Sequence, residues 1–375
     1  MKIGYDAKRA FYNNTGLGNY SRWLLKGIAS LNLSNILYLY TPKAKANSRL
    51  NFIGSYPNIQ IVTPQSKWFT SWWRSKGIIK DLKRDGIELY HGLSHELPSG
   101  IGQTNIRSVV TIHDLIFMRY PKQFGPVNYR IYLAKVKHAC LVADKIIAIS
   151  QKTKDDVIEL LGIDPQKIEV IYQGCDPAFA IEQTAEQKLT VKEKYNLPDS
   201  YILSVGTIEE RKNLLLIVKA LKNVVDDIPL VVVGKETQYT QQVKAYLTAS
   251  NLNQRVIFLK DVTFAELPAV YQLASVFVYP SRYEGFGIPI LEALNSGVPA
   301  IATTGSCLKE AGGPDSLYVS PDDDAGLAEK INSVLANDLL RQNMITKGCA
   351  YATNFTEDKL SRQLMRLYQN ILSHD

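Results

Sequence analysis

Two carboxylates, Glu284 and Glu292, stand seven intervening residues apart around a glycine loop, Glu284-Gly285-Phe286-Gly287. A buried-looking apolar run, Ser275 to Pro280, comes before the loop, and a helix-compatible segment, Ile288 to Asn295, follows it. The order reads as strand, glycine loop and helix start. The free N–H groups and positive dipole end of a helix favour an anion, and Gly285 and Gly287 let the backbone approach a ligand closely. Pro289 suits the first helical position, where a missing N–H costs nothing. The pattern therefore fits a phosphate at the loop, with Glu292 in the first helical turn and both acids accepting from sugar hydroxyls. The plain alternative is an ordinary strand-loop-helix carrying one solvated and one capping glutamate.

A second group of candidates is cationic. The strand-like run Tyr201 to Gly206 leads to Arg211-Lys212-Asn213 ahead of a helical segment. Cations are unfavourable at a helix start, so the pair reads as a clamp for a diphosphate; the alternative is a solvated basic helix end. His113, at the end of the apolar run Val109 to Ile112, has an ordinary pKa near neutrality and suits a hydroxyl or phosphate oxygen, or is a structural histidine with satisfied bonds. Gly16 and Gly18 lie in a loop after the first strand, the place where open α/β sheets bind ligands. Ser21 stands where a dinucleotide fingerprint would have its third glycine, and a plain turn is the alternative. His91 and His95 are four apart, but Gly92 and Pro98 oppose the helix that metal binding would need. The acids Asp322, Asp323 and Asp324 follow Pro321 and precede a helical run, so turn formation and capping explain them.

Residues Lys67 to Lys76 hold Trp68, Trp72 and Trp73 among basic side chains. Aromatics with cations suit an anionic membrane surface; the competing expectation is a core helix after the third strand.

These candidates need elements to hold them. The chain of 375 residues exceeds one ordinary core, which predicts two domains. Its 46% hydrophobic and 21% charged residues are those of a folded protein. No apolar run reaches the roughly 18 residues of a spanning helix. Lys2 to Asp6 enters a strand directly without a leader-like segment, so a cytoplasmic location is expected, including peripherally at the inner face of the membrane. The net charge of +7 is modest, and no basic arm for nucleic acid is present. Four widely spaced cysteines argue against zinc.

Residues 1–175 alternate strands and helices, the pattern of a parallel sheet covered on both faces. Predicted strands are Lys2–Asp6, Ile36–Thr41, Ile59–Thr63, Ile87–His91, Ser108–Ile112, Lys145–Ile149 and Ile168–Tyr172. Residues 176–199 read as a linker with a short helix. A second α/β unit spans 200–355, with strands from Tyr201, Leu230, Val256 and Ser275, and 356–375 form an amphipathic helix.

The stretch SRYEGFGIPILEALNSGVPAIAT resembles the E-x7-E signature of glycosyltransferase family 4, retaining enzymes of the GT-B fold; the likeness extends over nearly the whole chain. It implies two Rossmann-like domains facing across a cleft, acceptor side first and donor side second, with the last helix crossing back to the first. It implies a nucleotide-diphosphate sugar as donor, with GDP-mannose favoured over UDP-sugars, and a glycan or lipid-linked saccharide as acceptor in cell-surface polysaccharide assembly. Arg211 and Lys212 would then neutralise the leaving diphosphate, Glu284 would hold the donor sugar and Glu292 the ribose. His113 would reach the donor from the first domain, oriented by Asp114, with Gly16 and Gly18 near the phosphates. Gly206, Val262, Phe286, Gly287 and Ile288 would complete the donor site. No metal or cofactor is expected. The competing readings are a non-catalytic nucleotide-sugar binder and a glycoside hydrolase using Glu284 and Glu292.

Overall fold

The computed structural model describes residues 1–31, 34–66, 68–121 and 124–373. It divides into two compact units, Met1–Gly174 joined by Glu357 onward, and Cys175–Thr356.

The first unit contains strands β1 Lys2–Asp6, β2 Ile36–Tyr40, β3 Ile59–Val62, β4 Leu89–Gly92, β5 Arg107–Ile112, β6 Lys145–Ala148 and β7 Ile168–Val170. They form one parallel sheet in the order β3-β2-β1-β4-β5-β6-β7. All seven predicted strands are present, four of them ending a residue or two early. Central strands are buried on both faces, which is why they read as continuous Val/Ile/Leu/Tyr runs without alternation.

The second unit contains β8 Ile202–Val205, β9 Leu230–Val233, β10 Val256–Leu259, β11 Val276–Tyr279, β12 Ala300–Thr303 and β13 Leu317–Val319. Its parallel order is β10-β9-β8-β11-β12-β13. β12 and β13 lie outside the predicted strands. They are three or four residues long, and Ala300-Ile301-Ala302 carries little β-branched signal.

In both sheets the strand order reverses beside the first strand, between β1 and β4 and between β8 and β11. Loops leaving the carboxyl ends of strands at such a reversal part to opposite faces and open a crevice.

Local chemistry explains several element ends. Ser150 Oγ accepts from Thr153 N–H at 3.0 Å and opens the helix Gln151–Leu161, which Gly162 closes in a left-handed conformation. Asp323 Oδ1 accepts from Gly326 N–H at 2.8 Å at the start of Asp324–Ala336, so this acid is a cap as expected.

The stretch 176–199 contains the helix Ala185–Tyr195, closed at its start by a reciprocal Thr184–Gln187 capping box. Lys194 and Tyr195 both bond Glu266 of the second unit, to which this stretch belongs.

The last helix, Glu357–Ser373, belongs to the first unit and lies on Gly16–Leu31. Leu364, Leu367, Tyr368 and Ile371 join the core formed by Ile3, Tyr5, Leu24, Leu25 and Ile28. Tyr368 OH lies 2.6 Å from His91 Nδ1, and Thr111 Oγ1 lies 2.8 Å from His91 Nε2. His91 is fully buried with both nitrogens satisfied, a structural role that ties the chain terminus to the centre of the sheet.

Candidate active site

The crevice at the β8/β11 reversal gathers Arg211, Lys212, Tyr279, Ser281 and Glu284. Lys212 belongs to a short turn, Glu210–Lys212, that follows β8, while Tyr279 ends β11. The next loop carries Ser281 and Glu284. One carboxylate oxygen organises them. Glu284 Oε1 accepts from Arg211 Nη1 at 2.8 Å, Lys212 Nζ at 2.6 Å, Ser281 Oγ at 2.6 Å and Tyr279 OH at 3.1 Å. Oε2 takes none of these four bonds. Arg211 also donates to Tyr283 O and, at 2.6 Å, to Glu209 Oε1. Lys212 donates to Tyr279 OH and sits 4.8 Å from the centre of its ring.

The sequence reading keeps the two cations for a diphosphate and Glu284 for a sugar. The structure joins all three. Burial alone would raise the Glu284 carboxyl, but Lys212 and Arg211 outweigh it and hold the group at about 2. Glu284 is 9% exposed, so its charge is balanced locally rather than by water.

Glu292 lies apart from this cluster in its bonding. It is in the second turn of the helix Ile288–Asn295, not the first, and Tyr271 OH donates to its Oε2 at 2.9 Å. Burial pushes its carboxyl up to about 7; the Tyr271 bond opposes the shift and the charge of Asp176 adds to it. Pro289 is the second helical residue rather than the first. Gly287 precedes the helix with φ 124°, where a side chain is strained, and a Cβ there would meet Leu308 Cδ2 at 3.1 Å. The Ile290 N–H already donates to Gly287 O at 2.9 Å. Fewer amides therefore remain for an anion than the sequence alone suggests. Phe286 is buried against Phe355. Gly206, with φ 146°, borders a narrow recess of about 10 Å³ beside Lys212 and Tyr279, roughly the space of one water. Val262 follows the edge strand β10, with β9 between that strand and β8.

The remaining candidates lie in the first unit. His113 follows β5, is 4% exposed, and its Nε2 lies 2.9 Å from Leu93 O. A carbonyl only accepts, so Nε2 carries the proton. Burial, with His95 adjacent, lowers the His113 pKa to about 3. This corrects the expectation of a near-neutral, adaptable donor: the ring is neutral, its N–H is committed, and Nδ1 is an acceptor. Asp114 Oδ1 accepts from Ile116 N–H at 3.0 Å, and its charge opposes the lowering of His113. Gly16 and Gly18 lie in the first turn of Gly16–Leu31. A Cβ on Gly18 would fall 1.8 Å from Asn13 O, so this glycine is required by close backbone packing.

Sequence reasoning missed Tyr279, Ser281 and Glu209 as partners of the cluster. The Ser281-Arg282-Tyr283-Glu284 spacing held a signal for Ser281; Tyr279 reads only as an apolar strand residue. Among the described residues no group of three His, Cys, Asp or Glu side chains is placed to hold a metal.

Two family models match the chain: "Glycosyltransferase Family 4" over residues 16–179 and "Glycosyl transferases group 1" over residues 186–350. Between them they span most of both units, and the chain belongs to the GT-B glycosyltransferases of family 4. Among curated proteins it is 26% identical to "O-antigen chain mannosyltransferase B" of Escherichia coli, over 98% of this chain and 100% of that one. Among solved structures it resembles sucrose-phosphate synthase from Thermosynechococcus elongatus, with TM-score 0.79 and 19% identity over 100% of both chains. It also resembles Anabaena HepE in complex with UDP, with TM-score 0.76 and 17% identity over 99% of this chain and 100% of that one.

Proposed function

We propose that this glycosyltransferase transfers a mannosyl group, with retention of anomeric configuration, from GDP-mannose to a saccharide acceptor in cell-surface polysaccharide assembly, acting in the cytoplasm. The observation that carries the catalytic part is the convergence of Arg211 and Lys212 on Glu284 Oε1 at the strand-order reversal. The sugar and the pathway rest on the likeness to the O-antigen mannosyltransferase.

The chemical problem is departure of a nucleoside diphosphate, whose negative charge grows on the phosphate nearest the sugar. Two fixed cations in a site largely shielded from water stabilise such charge strongly and need no reorganisation when it forms. Lys212 and Arg211 supply it without a metal. Glu284 keeps both cations in place before the donor arrives, and its second oxygen accepts from a hydroxyl of the donor sugar. Glu292, on the following helix, accepts from the ribose once ionised. His113 offers Nδ1 to a substrate hydroxyl.

Glycoside hydrolysis by the two glutamates fits less well. A carboxylate oxygen that already accepts four donors is a poor nucleophile, and hydrolysis gives Arg211 and Lys212 no task.

Nucleotide release from GDP-mannose, UDP-glucose and ADP-glucose tests the donor. Preferential GDP release in the presence of a saccharide acceptor supports the proposal; preferential UDP release removes GDP-mannose. Tight donor binding without turnover replaces catalysis with binding. An inverted product by NMR removes retention.

A further inference from the structure

Residues 70–84 form a helical run with a π turn, Trp73–Gly77, at its centre. The extra residue in a π turn redirects the side chains around it. Here neighbouring residues serve two unlike surfaces of the first unit. On one, Arg74 enters a cavity of about 230 Å³ at the β1/β4 reversal. It pairs there with Asp6 at 2.6 Å and Glu96 at 2.8 Å, and Tyr90, Lys135 and His138 complete the lining. His138 Nε2 is buried without a partner among the described residues, so the cavity retains polar capacity.

The other surface is an apolar groove of about 530 Å³, lined by Trp68, Phe69, Trp72 and Trp73 with Gly77 and Lys80. Only Trp73 behaves as the core-helix expectation requires: it is 8% exposed and its Nε1 donates to Asp81 at 2.6 Å. Trp68, Phe69 and Trp72 are 80, 81 and 59% exposed. Phe69 also holds φ at 61°, a costly conformation for a bulky residue. Three adjacent large aromatics in water, one of them strained, need a cover.

Charge says which cover. Lys76, Lys80 and Lys83 are exposed and have no acidic partner among the described residues. Asp81 is occupied by Trp73 and by Arg84 at 2.6 Å. Lys67 lies outside the described residues. Aromatic rings flanked by unpaired lysines match the boundary of an anionic bilayer, where the rings enter the headgroup layer and the cations meet lipid phosphates. We propose that Trp68, Phe69 and Trp72 seat this protein on an anionic lipid surface, with Lys76, Lys80 and Lys83 against the headgroups. The Arg74 cavity is lined from the same helical run as the aromatic groove, which suits a saccharide borne on a membrane lipid.

Sedimentation of the full chain with vesicles of mixed phosphatidylglycerol and phosphatidylcholine tests this without any sugar donor, so its outcome is separate from that of the transfer reaction. The wild-type protein should bind, less as salt rises, and bind poorly to phosphatidylcholine alone. Replacing all three exposed aromatics (Trp68→Ser, Phe69→Ser, Trp72→Ser) should lower vesicle affinity on the order of tenfold or more, with an unchanged melting temperature. Lys76→Gln with Lys80→Gln and Lys83→Gln should lower it severalfold and flatten the salt dependence. The proposal is overturned if the wild-type protein ignores anionic vesicles, or if the folded aromatic variant binds them as well as wild type.

Discussion

Lys212 Nζ and Glu284 Oε1 are 2.6 Å apart, and Arg211 reaches the same oxygen at 2.8 Å. The two cations are thus fixed by one carboxylate, an arrangement that would hold them ready for the diphosphate of the proposed donor. Arriving phosphate would share them with Glu284 rather than find them swinging in solvent, which reduces the ordering cost at the moment of binding.

Removing one cation should harm turnover more than folding. Lys212→Met is expected to lower kcat by about 10²-fold, while the remaining Arg211 still balances Glu284. Steady-state nucleotide release alongside a melting curve measures both. A variant with normal kcat excludes Lys212 from stabilising the leaving group.

Glu284→Gln should do the reverse to stability. It leaves two half-buried cations facing a neutral amide, with Arg211 still paired to Glu209, which costs on the order of 1–3 kcal/mol. The readout is the denaturant midpoint of the second unit; an unchanged midpoint means the ion cluster is not a stability element.

Glu292 gives a pH signature. Its carboxyl is raised to about 7 in the fold and ionises near 4.3 when exposed. The folded state therefore holds the extra proton between these values. Its contribution is full below the lower value and is lost as pH rises through about 7. Glu292→Gln should gain stability relative to wild type between pH 5 and pH 8, by roughly 3 kcal/mol at most. Urea unfolding of both proteins at the two pH values checks the sign.

Three histidines act oppositely. Burial first, then neighbouring positive or titratable groups, lowers His91, His95 and His113 to about 3. Unfolded histidine binds a proton near 6.5, so their contribution is present above that value and is lost as pH falls toward 3. All three lie in the first unit and Glu292 in the second, so the first unit should destabilise steeply between pH 6 and pH 4. NMR titration should find none of the three rings protonating between pH 5 and pH 8; a mid-range titration assigned to His113 removes its acceptor-only role.

Tyr368→Phe deletes the hydroxyl that meets His91 Nδ1 at 2.6 Å. A buried nitrogen left without a partner costs about 1–3 kcal/mol. The last helix should become more open to limited proteolysis, with little change in donor binding.

The alternation of apolar runs with helical stretches made both units readable, since a strand buried on two faces has no other way to be written. The Ser150 and Asp323 caps were equally legible, because capping acts over three residues. Glu284, Arg211 and Lys212 were each singled out by residue type and glycine surroundings, and the structure brings them into one cluster.

Their relationship was not legible. Arg211 and Glu284 are 73 positions apart, and only the pairing of β8 with β11 brings their loops to one oxygen. His113 looked adaptable until burial and the Leu93 carbonyl fixed its proton, and three tryptophans of one segment parted when a π turn sent Trp73 inward and left Trp68 and Trp72 in solvent. The sequence alone determined the α/β alternation, the caps and the motif that resembles the family, because these are written in local periodicity and residue types. Charge state, proton position and exposure awaited the tertiary structure, because each depends on neighbours that the chain supplies from far away.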